Sequence, residues 1–242
     1  MLFRILTIFP EMFVGPLENS ILKRAQDQGL LKVELINIRD YSTDKHHKVD
    51  DYPFGGGAGM VMQAEPFYNC FEALNIRPGN RVILLTPQGE TFTQEKAEEL
   101  SQEDEITLIC GHYEGIDERI KSLVTDEISL GDFILTGGEI ASMAIIDCVG
   151  RLIPGAVGDP SSIQEESFNF GLLEYPQYTR PRSYKGWDVP DILLSGNHQE
   201  IRRWRRAQAV TRTFFRRPEL LADVPWGEDD RKTIDQILSA AP

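Results

Sequence analysis

Three glycine-containing turns, each following a short apolar segment, stand out in the first part of the 242-residue chain. They are Leu84–Gly89, Ile109–Gly115 and Leu130–Gly138. Glycine is needed where a backbone adopts a positive φ or approaches a ligand closely, so three such turns at strand ends predict one pocket built mainly from main-chain atoms. A pocket of this kind suits a nucleotide-like ligand.

A further glycine-rich segment, Phe54–Gly59, follows the acidic pair Asp50 and Asp51. It lacks the G-x-G-x-x-G spacing of a dinucleotide-binding turn and the following Gly-Lys-Ser/Thr of a triphosphate-binding loop, so neither type of site is predicted. Two interpretations stay open, a loop that closes over a ligand and a simple wide turn.

The elements that would position these turns are short apolar strands alternating with helical patterns. Strands are predicted over 2–9, 31–38, 81–85, 105–110 and 126–129, with a helix over 18–28, and this alternation is typical of an α/β domain with a largely parallel sheet. Beyond Pro190 the pattern becomes helical, with its longest helix over Asn197–Phe215. We therefore expect an α/β domain over 1–160, a flexible linker over 161–175 and a helical domain over 176–242.

Composition argues against several classes of protein. With 41% hydrophobic and 26% charged residues, the chain resembles an ordinary globular protein. The apolar run Ile5–Phe9 is too short to span a bilayer and lacks the features of a secretory signal, so no membrane partner is expected. The odd, scattered set of cysteines favours a reducing cytoplasm. Three scattered cysteines and four histidines without ligand spacing predict neither a disulfide framework nor a metal site.

The net charge of −13 argues against nucleic acid as a partner, with one local exception. The segment 201–217 contains no acidic residue and carries seven arginines, Arg202, Arg203, Arg205, Arg206, Arg212, Arg216 and Arg217. This asymmetry is typical of a basic RNA-binding face on an acidic protein. A solvated helix paired with acidic neighbours is the alternative, and it stays open.

Four longer motifs, in this order, resemble the bacterial tRNA (guanine-N1)-methyltransferase (TrmD) family of the SPOUT superfamily: Asp50–Met60, Cys110–Arg119, Gly131–Glu139 and Tyr178–Pro181. The resemblance covers essentially the whole chain. It implies an α/β fold with a SPOUT-type deep trefoil knot in the parallel-sheet domain, followed by a small C-terminal helical domain. It further implies a cytoplasmic homodimer, with active sites at the interface, that uses S-adenosyl-L-methionine to methylate N1 of guanine 37, next to the anticodon of tRNA.

Carried over position by position, the resemblance implies a cofactor pocket in the knot. Its members are Leu85, Pro87, Gly89, Gly111, Tyr113, Glu114, Ser129, Leu130, Gly131, Phe133, Leu135, Gly137 and Gly138. The family commonly has tyrosine where Phe133 stands. A magnesium requirement is also suggested by the resemblance, but no compact carboxylate cage is evident in the sequence.

The reaction makes its own demands on side chains. Guanine N1 carries a proton, so its methylation needs a general base, and an arginine can stabilise the charge that develops on O6. Glu165 and Glu166 lie in the linker, and Arg151 precedes it. The resemblance assigns the base to Glu166, where the family has an aspartate before Ser-Phe, and Arg151 is the candidate for the cation.

The resemblance also implies a set of contacts to the RNA substrate. Asp50 and Glu114 would meet the guanine edge, and the remaining contacts to the anticodon stem–loop would come from Ser167, Arg205 and Arg206. Lys45, His46 and Lys48 are candidates for phosphate contacts, with a flexible basic loop as the simpler interpretation.

Two other classes of protein remain as alternatives. A non-catalytic RNA-binding protein would use the arginine-rich helix but would leave the three glycine turns without a purpose. A nucleotide-binding oxidoreductase would use the α/β domain but lacks the dinucleotide fingerprint.

Overall fold

A computed structural model describes residues 1–158, 166–168 and 171–240. Contacts between Cα atoms divide the chain into two compact units, Met1–Gly158 and Asp159–Pro242. Each unit is described by itself.

The N-terminal unit contains a sheet of five parallel strands with helices between them. Its strands, in chain order, are β1 (Leu2–Thr7), β2 (Lys32–Asn37), the short β3 (Asp50–Asp51) and β4 (Val61–Met62), β5 (Arg81–Thr91), β6 (Glu105–Cys110) and β7 (Asp126–Ser129). The five-stranded sheet has the order β2-β1-β6-β5-β7, and β3 and β4 form a separate antiparallel pair. The helices are α1 (Ser20–Asp27), α2 (Ala64–Ala73), α3 (Gln94–Leu100) and α4 (Glu139–Gly150). The predicted α/β class with a parallel sheet is confirmed.

Both faces of this sheet are covered by apolar side chains. Phe3 and Ile5 of β1 belong to one buried cluster, to which α1, α3 and α4 contribute. Leu6 of β1 and Ile109 of β6 belong to a second cluster, to which α2 contributes. Strands buried on two faces are nearly continuous apolar runs, which is why the sequence predicts them well.

The segment between Leu85 and Glu90 makes an unusual crossing at the edge of the sheet. Ile128 of β7 pairs with both of these residues. A residue inside a sheet has one neighbouring strand on each side, so Leu85 and Glu90 must lie on opposite sides of β7. The residues that join Leu85 to Glu90 therefore cross over β7. Gly89 lies directly on the backbone of Glu127 and Ile128, where a side chain would have no room. A crossing of this kind is an element that a trefoil knot requires, and the knot itself stays a prediction.

The C-terminal unit is built around a long helix. Its strands β8 (Ser183–Tyr184) and β9 (Trp187–Asp188) form a small hairpin, and its helices are α5 (His198–Arg216) and α6 (Glu228–Ala240). The side chain of Asn197 caps α5 by accepting a hydrogen bond from the Glu200 N–H, as Ser-Gly-Asn before a helix predicts. Val210 of α5 is fully buried, in a small core that includes Leu172 and Val224.

Residues 171–175 were assigned to the linker by the sequence, but they pack within the C-terminal unit. Leu172 is buried, and the Leu173 N–H donates a 2.9 Å hydrogen bond to Thr213 Oγ1 in α5. Ser167 also joins this arrangement, because its Oγ accepts a hydrogen bond from the Glu174 N–H. The sequence missed this packing because the preceding segment 155–166, which is rich in Gly, Pro, Ser and acidic residues, is typical of a linker. The other domain boundaries stay predictions.

Candidate active site

A cavity of about 450 Å³ opens beside the three glycine-containing turns, of which the first interrupts β5 and the other two follow β6 and β7. This volume lies within the usual range for small-molecule sites. Among the predicted cofactor residues, the cavity is lined by Leu85, Pro87, Gly111, Tyr113, Glu114, Ser129, Leu130, Gly131, Phe133, Leu135, Gly137 and Gly138. The carboxyl ends of parallel strands meet at one edge of a sheet, which explains why turns far apart in sequence come together here.

Main-chain contacts hold the second and third turns against each other. The Gly138 N–H donates a 2.9 Å hydrogen bond to the Gly111 carbonyl, and His112 forms an isolated bridge with Gly137. A Cβ atom at position 138 would lie only 2.7 Å from Cα of Cys110. Glycine is therefore required at this position by close packing of two backbones, although the φ of −80° is available to any residue.

Gly89 does not line the cavity, unlike the other predicted cofactor residues. Its backbone lies against β7, so its structural role is in the crossing of the chain. The neighbouring Gln88 does line the cavity, and its side chain accepts a 3.3 Å hydrogen bond from Lys121. Gln88 and Lys121 were missed by the sequence analysis, because neither type of residue is diagnostic of a nucleotide pocket.

The glycine-rich segment 54–59 reaches the same corner of the unit. Main-chain hydrogen bonds join Glu114 N–H to the Met60 carbonyl and Met62 N–H to the Gly115 carbonyl. The side chain of Glu114 lies over Gly59, where a Cβ would collide with it. Asp50, in β3, pairs directly with Met62. Asp50 and the second turn, which contains Glu114, thus both pair with the segment 60–62.

A buried hydrogen bond fixes Glu139, the residue that directly follows the third turn. Glu139, the first residue of α4, is 1% exposed and accepts a 2.7 Å hydrogen bond from Oγ1 of the fully buried Thr7. Thr7 in turn accepts a hydrogen bond from the Phe9 N–H. A carboxylate at a helix N-terminus is stabilised by the helix dipole. Because these residues are separated by more than a hundred positions, no local sequence signal could have revealed the contact.

Cys110, at the end of β6, is chemically inert rather than catalytic. Cys110 is fully buried, and burial raises the pKa of its thiol, with the nearby Glu139 carboxylate raising it further. Burial likewise raises the pKa of Cys70 to about 12. A thiol that stays protonated is a poor nucleophile and a poor metal ligand.

Comparison with known proteins identifies the family. A family model described as tRNA (Guanine-1)-methyltransferase TrmD matches residues 1–223. The chain belongs to the TrmD family. Proteins named tRNA (guanine-N(1)-)-methyltransferase are similar to it in three organisms: Moorella thermoacetica (59% identity, 96% of this chain and 95% of that protein), Staphylococcus epidermidis (58%, 95% and 94%) and Desulforamulus reducens (56%, 96% and 93%).

Membership in the TrmD family confirms the predicted activity class. The chain is a tRNA methyltransferase that acts on N1 of guanine, and a methyltransferase of this family uses S-adenosylmethionine. The alternatives of a non-catalytic RNA-binding protein and an oxidoreductase are thereby set aside. In the described part of the chain, no group of three or more His, Cys, Asp or Glu residues could hold a metal ion, so the suggested magnesium requirement gains no support.

The TrmD residues predicted to carry the proton transfer lie in different units. Arg151 directly follows α4 in the N-terminal unit, whereas Glu166 and Ser167 belong to the C-terminal unit. Glu165, the other candidate base, lies outside the described residues. No helix in the described ranges is long and apolar enough to cross a membrane.

The two arginines predicted to bind tRNA have partners within the C-terminal unit. Arg206 donates two hydrogen bonds, of 2.9 and 3.0 Å, to the carboxylate of Asp230, whose side chain is 7% exposed. The guanidinium of Arg205 lies 4.6 Å from the ring centroid of Tyr175. Both residues therefore contribute to folding of the unit, which the count of arginines alone does not indicate.

Other arginines of α5 are more accessible. Arg202 and Arg216 are exposed, and neither makes a hydrogen bond or ion pair with any described residue. Arg203 pairs with Glu200, and Arg212 donates to the Glu174 carbonyl. The positive charge of α5 is thus partly neutralised from within, and its binding to RNA stays a prediction.

Proposed function

We propose that the protein transfers a methyl group from S-adenosyl-L-methionine to N1 of guanine 37 in tRNA, the nucleotide that follows the anticodon. The observation that carries the proposal is the convergence of the three glycine-containing turns on one cavity of about 450 Å³. The choice of position 37 and the roles of individual residues go beyond family membership.

The cavity residues fit the cofactor. Glycine turns expose main-chain N–H and C=O groups, which can recognise the edge of an adenine, and Leu130 and Leu135 provide apolar surface for its faces. Glu114 supplies negative charge, which favours a cationic ligand. When bound, S-adenosylmethionine supplies an electrophilic methyl group on a positively charged sulfur. Gly138 permits the third turn to lie close to Cys110 and keeps the cavity open.

The protein must remove the proton from guanine N1, and we assign this step to the carboxylate of Glu166. Glutamate retains the chemistry of the family's aspartate but extends its reach by one methylene. A general base contributes roughly 10²–10⁴ to the rate. The Arg151 guanidinium stabilises the negative charge that grows on O6 as the proton leaves, and the cation lowers the energy of that charge most when water is excluded.

Recognition of the guanine is assigned to Asp50 and Glu114. A carboxylate accepts hydrogen bonds from the exocyclic amine of guanine, which adenine lacks at that position. The position of Glu114 over Gly59 supports this role, because the glycine-rich segment then fixes the carboxylate. Ser167 contacts the substrate through its hydroxyl group in this proposal.

The tRNA is held largely through its phosphates. Arg202 and Arg216 join Arg205 and Arg206 as the proposed contacts on α5, because their charge is not neutralised by described partners. The active form is a cytoplasmic homodimer with its active sites at the subunit interface. Exposed apolar residues of the N-terminal unit, among them Phe54 and Ile134, support an interface there.

The decisive experiment is nucleoside mass analysis of tRNA transcripts after incubation with the protein and isotopically labelled S-adenosylmethionine. Labelled 1-methylguanosine is expected from a transcript with guanine at position 37 and not from a matched transcript with adenine there. Methylation that persists at another position of the adenine transcript would refute the assignment of position 37.

The proposed base is tested with a set of three variants. Glu166→Gln is expected to lower kcat by roughly 10²–10⁴ while cofactor affinity stays unchanged, since the amide cannot accept the proton. Glu166→Asp restores the family residue and should retain turnover. Glu228→Gln, which neutralises an exposed carboxylate in the same unit, is the matched control. Full turnover by Glu166→Gln would move the base to another residue.

A further inference from the structure

The β8–β9 hairpin presents two aromatic side chains side by side. Tyr184 and Trp187 are paired directly across the antiparallel strands, so their side chains lie on the same face. Lys185 and Gly186 form the turn, both with positive φ, which is the geometry of a tight two-residue hairpin. The two rings therefore form one small platform on a compact support.

This platform is exposed to an unusual degree. Trp187 is 82% exposed and Tyr184 is 62% exposed, whereas the other two tryptophans, Trp204 and Trp226, are partly buried. Large aromatic rings that lie side by side and stay exposed to water are typical of a binding surface. The Lys185 ammonium lies 5.4 Å from the centroid of the Tyr184 ring and adds positive charge at its edge.

The charge around the platform favours a polyanionic partner. The segment 175–187 contains four aromatic residues and three cations, Arg180, Arg182 and Lys185, and no acidic residue, although the whole chain has a net charge of −13. Arg182 pairs with Asp191, which leaves Arg180 and Lys185 without an ion pair among the described residues. Aromatic rings interleaved with cations are typical of surfaces that bind single-stranded nucleic acid.

We propose that this platform, Tyr184 and Trp187 with Lys185, stacks an unpaired base of the tRNA substrate while the neighbouring cations contact its phosphates. The inference rests on the proposed function and adds a recognition element to it. Unpaired loop bases expose the faces that aromatic rings bind, whereas bases in a duplex are already stacked. The platform therefore favours a loop over a duplex.

Tryptophan fluorescence tests this stacking directly with an anticodon stem–loop RNA as the probe. Addition of the RNA is expected to quench the wild-type emission, since a stacked base quenches an indole ring. In Trp187→Phe the quenching should disappear while the RNA still binds, because phenylalanine retains a stacking face. Quenching that persists unchanged in Trp187→Phe would overturn the proposal.

Affinity measurements with matched variants supply the second test. The double variant Tyr184→Ala/Trp187→Ala is expected to raise the Kd for the stem–loop by about tenfold or more. The double variant Tyr184→Phe/Trp187→Phe is the control and should bind as the wild type does. A fully paired duplex of the stem sequence should bind all three proteins equally, and an unchanged Kd of the alanine variant for the stem–loop would refute the proposal.

The alternative occupant of the platform is a second copy of the chain. In that case Trp187 emission would change with protein concentration in the absence of RNA, and the alanine variant would have a different mass by light scattering. This outcome would overturn the inference.

Failure of the proposed function can be distinguished from failure of the stacking proposal, because it appears as absence of 1-methylguanosine from wild-type reactions at saturating RNA. The platform variants should still methylate at that RNA concentration.

Discussion

Replacement of Gly138 by alanine provides the most direct test of how the cavity is built. The new Cβ would lie 2.7 Å from Cα of Cys110 and 3.2 Å from the Gly111 nitrogen. Carbon atoms pack at about 3.5–4.0 Å, so the third turn must move away from β6 by roughly 0.8 Å or more. The obstacle is the backbone of a central strand and not the end of a flexible side chain, so the displacement falls on the turn.

Two consequences of this displacement can be estimated. Overpacking of this kind costs about 1–3 kcal/mol of stability, which corresponds to a decrease in Tm of roughly 2–12 °C for a protein of this size. The Gly138–Gly111 hydrogen bond lengthens, and the turn that lines the cavity is misplaced. Since misplacement by about 1 Å can cost on the order of a hundredfold in rate, we expect a large loss of cofactor affinity and turnover.

The assay combines calorimetric titration of S-adenosylmethionine with thermal unfolding of the same samples. Gly158→Ala is the control, because no atom lies within 4 Å of its Cβ position and its φ is not in the left-handed region. The control should match the wild type in both measurements. Wild-type affinity and an unchanged Tm for Gly138→Ala would refute the close-packing argument.

Three further predictions follow from particular contacts. Gly89→Ala should lower Tm, because its Cβ would overlap the backbone of β7. The substitution removes no group that lines the cofactor cavity. Asp230→Asn should destabilise the C-terminal unit, measured by unfolding in urea, because it weakens the paired hydrogen bonds from Arg206. Burial raises the pKa of Asp230, but hydrogen bonds from Arg206 and the Gly227 N–H bring it below its ordinary value, so this stability is present above about pH 4 and is lost as the pH falls further. Iodoacetamide should modify the partly exposed Cys148 before Cys110 in the native protein, as peptide mass analysis would show.

The cavity was predictable from the sequence because its main determinants are local. A glycine after a buried strand is visible in the sequence, and parallel strands bring their carboxyl ends to one edge. The local pattern does not reveal why glycine stands at position 89, because the requirement comes from the backbone of β7, which lies about forty positions away. A glycine in such a turn indicates that the space around its Cα is restricted, but the sequence does not identify the atoms that restrict it.

The support beneath the cavity was not predictable. The hydrogen bond between Thr7 and Glu139 depends on β1 lying next to α4. Nothing in the residues around either position distinguishes a buried carboxylate from an exposed one at the start of a helix, where acidic residues are common for reasons of charge alone. Such contacts follow from topology and not from local pattern.

The arginine-rich helix shows why charge composition overstates an RNA-binding surface. Seven positive charges over 201–217 predict a strong electrostatic contact, yet Arg206 holds the nearly buried carboxylate of Asp230 and Arg203 pairs with Glu200. An arginine that neutralises a neighbouring carboxylate contributes little to the release of counterions from RNA. Replacing Arg202, which has no described partner, should therefore reduce the salt dependence of tRNA binding without loss of stability. Replacing Arg206 should instead lower stability first, so the two effects separate contacts to RNA from contacts that hold the helix in place.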